Sequence, residues 1–185
     1  MNQDLELVKL SKTNPEYFGL IYDKYFDRIY RFFLSRLGNV STSEDLTSTT
    51  WLKVVENLSH FEPSHENSFV VWLFAISRNT LFDYYKANKI QFQDLYSEEK
   101  EEYLSSDENL EETVFNNIEL AQFKKSILIY LSQLPPSQNE CIRLRYLEEL
   151  TNKEISTLLS ISEKTVSAHI ARGLKQIRRF FGSNL

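Results

Sequence analysis

The sequence predicts an all-α protein of two small helical domains joined by an acidic linker. Only four Gly and four Pro occur in 185 residues, and so few helix-breaking residues favour long helices over strands and turns. Apolar residues recur at helical spacing on both sides of the middle of the chain. The middle itself, residues 94–119, contains one Lys and ten acidic residues, a net charge of −9. We therefore expect domains at 1–93 and 120–185. An acidic loop within a single domain is the alternative, since such a segment buries little apolar surface in either case.

Three helices are predicted before the linker. The first begins at Asn14, has Pro15 at its first position and ends at Gly38. The second opens with Ser41-Thr42-Ser43-Glu44, which has the spacing of a capping box, and runs to about residue 58. The third is rich in aromatic residues and covers about 68–86, after a polar loop at 61–67. The first domain is thus predicted to be a helical bundle.

Four helices are predicted after the linker, at about 120–131, 136–146, 151–159 and 162–181. Thr151-Asn152-Lys153-Glu154 has capping-box spacing, and Ser162 is a suitable N-cap. The last two helices are joined by Ser160-Ile161-Ser162 alone. Two helices with so short a connection are typical of a helix-turn-helix, in which the second helix enters the major groove of DNA.

The last helix has the two faces that a major-groove reader requires. Its predicted inward stripe is Val166, Ile170, Leu174 and Ile177. The opposite face is basic or small, and we predict that it reads DNA; its residues are Lys164, Thr165, Ser167, Ala168, Ala171, Arg172 and Lys175. Five basic and no acidic residues follow Glu163, and an arginine can bond both acceptors of a guanine. His169 is expected near this face. An ordinary amphipathic helix with a solvated face is the alternative.

Composition argues against several other classes of protein. The net charge of −5 hides a C-terminal part, residues 120–185, with a net charge of +5. The single cysteine, Cys141, allows no internal disulfide and is expected to be a small core residue. The three histidines show no metal-ligand spacing and there is no Gly-rich phosphate loop, so we expect no catalytic residue, metal or cofactor. No signal-like or membrane-spanning apolar run is present, which indicates a cytoplasmic protein.

Both halves resemble one family. In the first half the matching residues are Tyr25, Ile29, Glu44-Asp45-Leu46, Trp51-Leu52-Lys53-Val54, Phe69, Trp72-Leu73, Ile76, Arg78-Asn79 and Asp83-Tyr84. In the second they are Leu134-Pro135, Leu144-Arg145-Tyr146, Glu154-Ile155, Leu158-Leu159, Ile161-Ser162 and Thr165-Val166. In order and spacing these residues resemble bacterial RNA polymerase sigma factors of the extracytoplasmic-function (ECF) subgroup.

The resemblance implies a transcription initiation factor that joins core RNA polymerase. It implies that the N-terminal domain binds the β′ clamp helices and opens the minus-ten promoter element. The C-terminal domain would read the minus-thirty-five element and touch the β flap, and the linker would lead toward the RNA exit path. The sequence leaves open whether an anti-sigma factor binds this chain.

The resemblance also implies roles for individual residues. The minus-ten contacts would be Ser64, Asn67, Ser68, Arg78, Asn79, Lys86 and Lys89, and the polymerase contacts would be Asp45, Leu46, Thr49 and Leu52. The chain departs from the family where Ser48 and Thr49 replace Gln and an acidic residue, and where Ser160 replaces the usual turn glycine.

Two other functions were weighed. Ser162–His169 also resembles the helix-turn-helix of response-regulator-type transcription regulators, which would bind duplex DNA without polymerase. The phosphoacceptor domain usual in that class would contain alternating strands, and the first half shows none. An enzyme is the third hypothesis, and the missing catalytic and cofactor motifs argue against it.

Overall fold

The computed structural model describes residues 3–63, 68–89, 127 and 129–182, and helices account for most of them. The helices are α1 Gln3–Ser11, α2 Pro15–Leu37, α3 Val40–Asn57, α4 Ser68–Ala87, α5 Pro136–Tyr146, α6 Asn152–Leu159 and α7 Glu163–Gly182. A 3₁₀ turn, Leu58–His60, follows α3, and residues 129–132 end a further helix before α5. The described ranges contain no strand, so the all-α prediction is confirmed. The predicted linker and most of the predicted helix at 120–131 lie outside the described residues.

The caps of α2 are the predicted ones. The side-chain oxygen of Asn14 accepts a hydrogen bond from the Glu16 amide at 2.9 Å, and Gly38 has φ 64° and donates to the Leu34 carbonyl. The predicted capping box of α3 is wrong. Asn39 is the N-cap, and its side chain accepts from the Thr42 amide at 2.9 Å, so Ser41–Glu44 already lies within the first turn.

The first helix, α1, has no counterpart in the prediction. Its Val8 is buried, and its Asp4 accepts a hydrogen bond from the Tyr25 hydroxyl at 2.5 Å and pairs with Lys24. These contacts reach α2, so α1 depends on tertiary packing more than on its own weakly patterned sequence.

Helices α1–α4, the first group, pack against helices α5–α7, the second group, through a shared core. The core of α1–α4 is aromatic, with Phe32, Phe33 and Phe74 fully buried. Leu144 and Ile155 of the second group are also fully buried and belong to the same contiguous apolar cluster. Cys141 is fully buried there, as predicted. The sequence left the relative packing of the two halves open, and the structure places α6 against α4.

In the part of the chain that the structure describes, no helix has the length and apolar character needed to cross a membrane.

Candidate nucleic-acid interface

Helices α6 and α7 form the predicted helix-turn-helix. The Thr151 hydroxyl accepts from the Glu154 amide at 3.2 Å while the Glu154 carboxylate accepts from the Thr151 amide at 2.6 Å, which completes the predicted capping box. Ser160 ends α6 with φ 55°, a left-handed conformation for which glycine is the usual residue. The Ser162 hydroxyl then caps α7 by accepting from the Thr165 amide at 3.0 Å.

The inward face of α7 differs from the prediction at one position. Val166 and Ile170 are buried, and Ile177 is partly buried. Leu174, however, is 37% exposed, and the buried residue of that turn is Gly173. A Cβ atom on Gly173 would lie 2.4 Å from Cδ1 of Ile142 in α5. A side chain at position 173 would therefore require the Ile142 side chain of α5 to shift.

The outward face of α7 is open to solvent. Among the predicted reading residues, Lys164, Ser167, Ala171, Arg172 and Lys175 are exposed, and Thr165 and Ala168 are half-buried. The Ser167 hydroxyl accepts a hydrogen bond from the Asn152 side chain of α6 at 3.0 Å. His169 was expected near this face, but it lines a cleft against α4 instead. Position 169 lies about 100° around the helix from position 168, which turns its ring toward the first half of the chain.

Helix α4 carries the second set of predicted contacts. Asn79, Lys86 and Lys89 are exposed, and Arg78 is half-buried with its guanidinium 4.8 Å from the centre of the Phe82 ring. Ser68 is buried at the start of α4, and its contact with DNA stays a prediction. The predicted contacts Ser64 and Asn67 lie outside the described residues.

Asn79 opens onto a surface groove of about 520 Å³ that sequence reasoning did not identify. The groove is lined by Lys53, Asn57, Trp72, Ile76, Asn79, Phe82 and Asp83. The Lys53 ammonium lies 3.1 Å from the Asp83 carboxylate and closes one side. Positions 72, 76, 79 and 83 are separated by four, three and four residues, so helical spacing from Asn79 would have indicated this face.

The aromatic side of the groove is held in place from α1. The Lys12 ammonium, just after that helix, donates to the carbonyls of Ser59 and Phe61 at 3.2 and 2.7 Å. The Phe61 ring in turn lies 4.9 Å from the ring of Trp72. This chain of contacts fixes Trp72, and with it one wall of the groove, before any ligand binds.

A third surface runs along α3. Asp45, Thr49 and Leu52 are exposed at helical spacing, and Leu52 is 60% exposed. Val55, 52% exposed, extends this stripe and was not predicted. Leu46 is only 9% exposed and belongs to the core, and its contact with polymerase stays a prediction. Asp45 and Thr49 of the same helix are exposed, whereas Leu46 packs into the core and anchors the helix.

Models of known protein families match both halves of the chain. A family model described as Sigma-70 region 2 matches residues 21–90, and one described as Sigma-70, region 4 matches residues 125–177. Together they cover about two thirds of the chain. The chain belongs to the sigma-70 family of RNA polymerase sigma factors.

Similar sigma factors carry the ECF name. The chain is 27% identical to the ECF sigma factor BldN of Streptomyces coelicolor, over 95% of this chain and 64% of that protein. It is also 27% identical to the ECF sigma factor SigM of Bacillus subtilis, over 87% of this chain and 93% of SigM. A solved structure of CnrH in complex with the cytosolic domain of CnrY has the same fold, with a TM-score of 0.69, 17% identity and 97% of each chain covered. This sigma factor is of the ECF type.

As an ECF sigma factor the chain is a transcription initiation factor that works with core RNA polymerase on promoter DNA, and it is not an enzyme. The matched regions are the two halves that carry the α4 and α7 surfaces. The competing hypothesis of a polymerase-independent regulator is not favoured, because region 2 has no place in it.

Proposed function

We propose that this sigma factor reads the minus-thirty-five element with the outward face of α7 and opens the minus-ten element with the groove around Asn79. The observation that carries the proposal is the orientation of α7. Its basic residues Lys164, Arg172 and Lys175 face solvent together, while Val166 and Ile170 anchor the opposite side.

The exposed face of α7 suits the major groove in both shape and charge. Ala171 and Ser167 are small, so the helix can approach the base edges closely. Arg172 follows Ala171 and has the fork of donors that pairs with O6 and N7 of guanine. Thr165 and the N-terminus of α7 can hold a phosphate, and phosphate contacts of this kind fix the register on the duplex.

The groove on α4 suits a base taken out of the stack. Trp72 provides an aromatic wall and Asn79 provides an amide that can both donate to and accept from a base edge. Extruding a base costs a few kcal/mol, and a groove that offsets this cost only for the right base couples recognition to melting. Lys86 near the end of α4 and Lys89 just after it are exposed, where they can follow the DNA backbone. Ser64 and Asn67 remain predicted contacts of the same element.

The other assignments follow the family. We assign the α3 stripe of Asp45, Thr49, Leu52 and Val55 to the β′ clamp helices, because an exposed apolar pair flanked by polar residues is typical of a protein-binding surface. The proposed domains are 1–93 and 120–185, with an acidic linker at 94–119 that leads toward the RNA exit path, and the second domain also touches the β flap. The proposed site of action is the cytoplasm, where polymerase is found.

An anti-sigma factor is a further proposed partner. A solved relative of the same fold is RpoE in complex with the anti-sigma factor NepR from Bartonella quintana, with a TM-score of 0.62 and 19% identity over 89% of this chain and 96% of that one. Co-purification of the chain from its own cells, followed by identification of bound proteins, tests for such a partner and for the β and β′ subunits together.

The reading role of α7 is tested by Arg172→Ala in transcription with core polymerase. We expect a loss of about 1–3 kcal/mol in minus-thirty-five recognition, the scale of one bidentate base contact. Arg31→Ala is the control, because it removes the same charge from an exposed position of α2, away from the predicted face of α7. Unchanged sequence preference at the minus-thirty-five element in Arg172→Ala would contradict the assignment.

The role of the groove is tested by Asn79→Ala, with Asn88→Ala, an exposed residue just after α4, as control. We expect Asn79→Ala to reduce permanganate reactivity at the minus-ten element of a duplex promoter far more than on a premelted one. Equal losses on both templates would mean that Asn79 has no part in opening. Tight, sequence-specific binding of duplex DNA without core polymerase would instead favour the regulator hypothesis.

A further inference from the structure

A side-chain hydrogen bond joins the two helices of the helix-turn-helix. The Asn152 amide, at the first position of α6, donates through Nδ2 to the Ser167 hydroxyl of α7 at 3.0 Å. The Oδ1 atom of Asn152 is buried, and none of the described residues donates to it. Buried amide oxygens without a donor are less rare than buried N–H groups without an acceptor, which favours this orientation of the amide. Ser167 is therefore the acceptor of this hydrogen bond.

Both partners of the bond are held in place in the free protein. A capping box that begins at Thr151 fixes the start of α6, directly beside Asn152. Ile155 of α6 and Val166 of α7 are fully buried in one apolar cluster, so the faces that the two helices turn toward each other are fixed. The Asn152 amide thus meets the Ser167 hydroxyl before any DNA binds, as precise recognition requires.

The Ser167 hydroxyl lies in the middle of the outward face of α7. Ser167 is exposed and lies four residues before Ala171, on the same side of the helix. Neither Ala168 nor Ala171 has a polar side-chain atom. The Thr165 hydroxyl lies 2.8 Å from the Ser162 hydroxyl at the start of the helix. Ser167 is therefore the residue whose short polar group this part of the face can offer to a base edge.

The bond from Asn152 decides what the Ser167 hydroxyl offers. A hydroxyl has one proton and two acceptor lone pairs. Because the amide occupies one lone pair, the proton is left for another partner, and accepting a bond also polarises the O–H group so that it donates more strongly. In the major groove guanine presents only acceptors and cytosine only a donor, while thymine presents the acceptor O4. A donating hydroxyl therefore distinguishes guanine and thymine from cytosine.

We propose that Asn152 is a positioning residue that sets the base preference of Ser167. By donating to Ser167 it makes that hydroxyl a donor toward DNA, so one position of the minus-thirty-five element is read as guanine or thymine and cytosine is disfavoured there. The inference rests on the proposed function, since it concerns the α7 face as the reader of that element. It adds to this face a residue of α6 that acts on the base only through Ser167.

The test uses the complete sigma factor bound to core polymerase. Promoters are selected by transcription from a pool in which the minus-thirty-five element is randomised, and the frequency of each base is counted at each position. For the unchanged protein we expect a position at which guanine or thymine exceeds cytosine. Ser167→Ala should reduce that excess by about three- to tenfold, the scale of one hydrogen bond, and should leave the other positions unchanged.

Asn152→Asp reverses the hydrogen bond with little change in the shape of the side chain. A carboxylate only accepts, so the Ser167 proton turns toward it and only lone pairs remain for the base. We expect the ratio of guanine to cytosine at the Ser167 position to fall by about three- to tenfold, while the other positions keep their preferences. Asn152→Ala frees the hydroxyl to rotate, so it should weaken the preference without reversing it.

Lys153→Gln is the matched control for the charge that Asn152→Asp adds. It makes the same change of charge at the exposed neighbouring position of α6 and leaves the bond from Asn152 to Ser167 in place. Loss of positive charge near the phosphates weakens binding to all sequences alike, so this control should leave every base frequency unchanged. Thermal unfolding followed by circular dichroism checks that each variant is folded, and Asn152→Ala decides the question if Asn152→Asp is not.

Three outcomes would overturn the inference. The first is a preference for cytosine at the Ser167 position in the unchanged protein. The second is a ratio of guanine to cytosine there that stays the same in the folded Asn152 variants. The third is no effect of Ser167→Ala where Arg172→Ala still changes a base frequency. If neither Ser167→Ala nor Arg172→Ala changes any base frequency, the proposed reading role of α7 itself fails.

Discussion

Replacing Gly173 by alanine tests how α7 is positioned. The added Cβ would lie 2.4 Å from Ile142 Cδ1, 3.4 Å from Leu134 Cδ1 and 3.5 Å from Gln138 Cβ. Ile142 is buried, so its side chain has little room to move, and overpacking of this kind costs about 1–3 kcal/mol. The better helix propensity of alanine returns about 1 kcal/mol. We therefore expect a net loss of up to about 2 kcal/mol in the free energy of unfolding.

The assay is urea unfolding followed by circular dichroism, arranged as a double-mutant cycle. Ile142→Val removes the clashing Cδ1 atom and alone should cost about 0.5–1.5 kcal/mol. Combined with Gly173→Ala, it should cost clearly less than the sum of the two single changes, because the clash is gone. Gly19→Ala on α2 is the matched control, since no atom lies within 4 Å of its added Cβ, and it should stabilise the protein. A stabilising Gly173→Ala, or strict additivity with Ile142→Val, would refute the reasoning.

Three further predictions concern backbone, cap and thiol. Ser160→Gly should raise the free energy of unfolding by about 0.5–1 kcal/mol because φ there is 55°, whereas Ser156→Gly within α6 should lower it; thermal unfolding of both variants checks this. Thr151→Ala should cost about 1 kcal/mol by removing the cap of α6, and a loss no larger than that of the mid-helix Thr157→Ala would contradict it. Burial raises the pKa of the Cys141 thiol to about 11, so the fold keeps a proton that the unfolded chain releases. Stability should therefore fall as pH rises from about 9 to 11, and Cys141→Ala, measured by unfolding across that range, should lose less.

The sequence predicted best those features that local chemistry determines. Asn14 and Gly38 bound α2, and Thr151 and Ser162 cap the helix-turn-helix, because each cap is a bond between residues two to four positions apart. The cap of α3 was predicted two residues late, at Ser41 instead of Asn39. Both residues are good N-caps, and only the backbone path after Gly38 decides between them.

Burial on α7 was harder to predict because it depends on the neighbouring helix. Periodicity assigned Leu174 to the inward stripe, since a leucine is more apolar than the adjacent glycine. In the structure Gly173 faces α5, and a Cβ atom added to Gly173 would lie 2.4 Å from Cδ1 of Ile142. The same rotation moves His169 from the expected DNA face into the cleft against α4. A small helical rotation thus changes two assignments at once.

The groove around Asn79 and the buried ion pair of Arg36 and Glu148 show two different limits of sequence reasoning. The groove could have been predicted, because Trp72, Ile76 and Asn79 share one helical face. Helical spacing counted from Asn79 gives the other two positions.

The ion pair of Arg36 and Glu148 could not be predicted, because Glu148 in Leu-Glu-Glu-Leu and Arg36 near the end of α2 both look like solvated surface charges in the sequence. Charges are buried only where a partner of opposite sign meets them, and that partner lies 112 residues away. A pattern along the chain cannot reveal such a pair, yet the pair fixes how the halves meet.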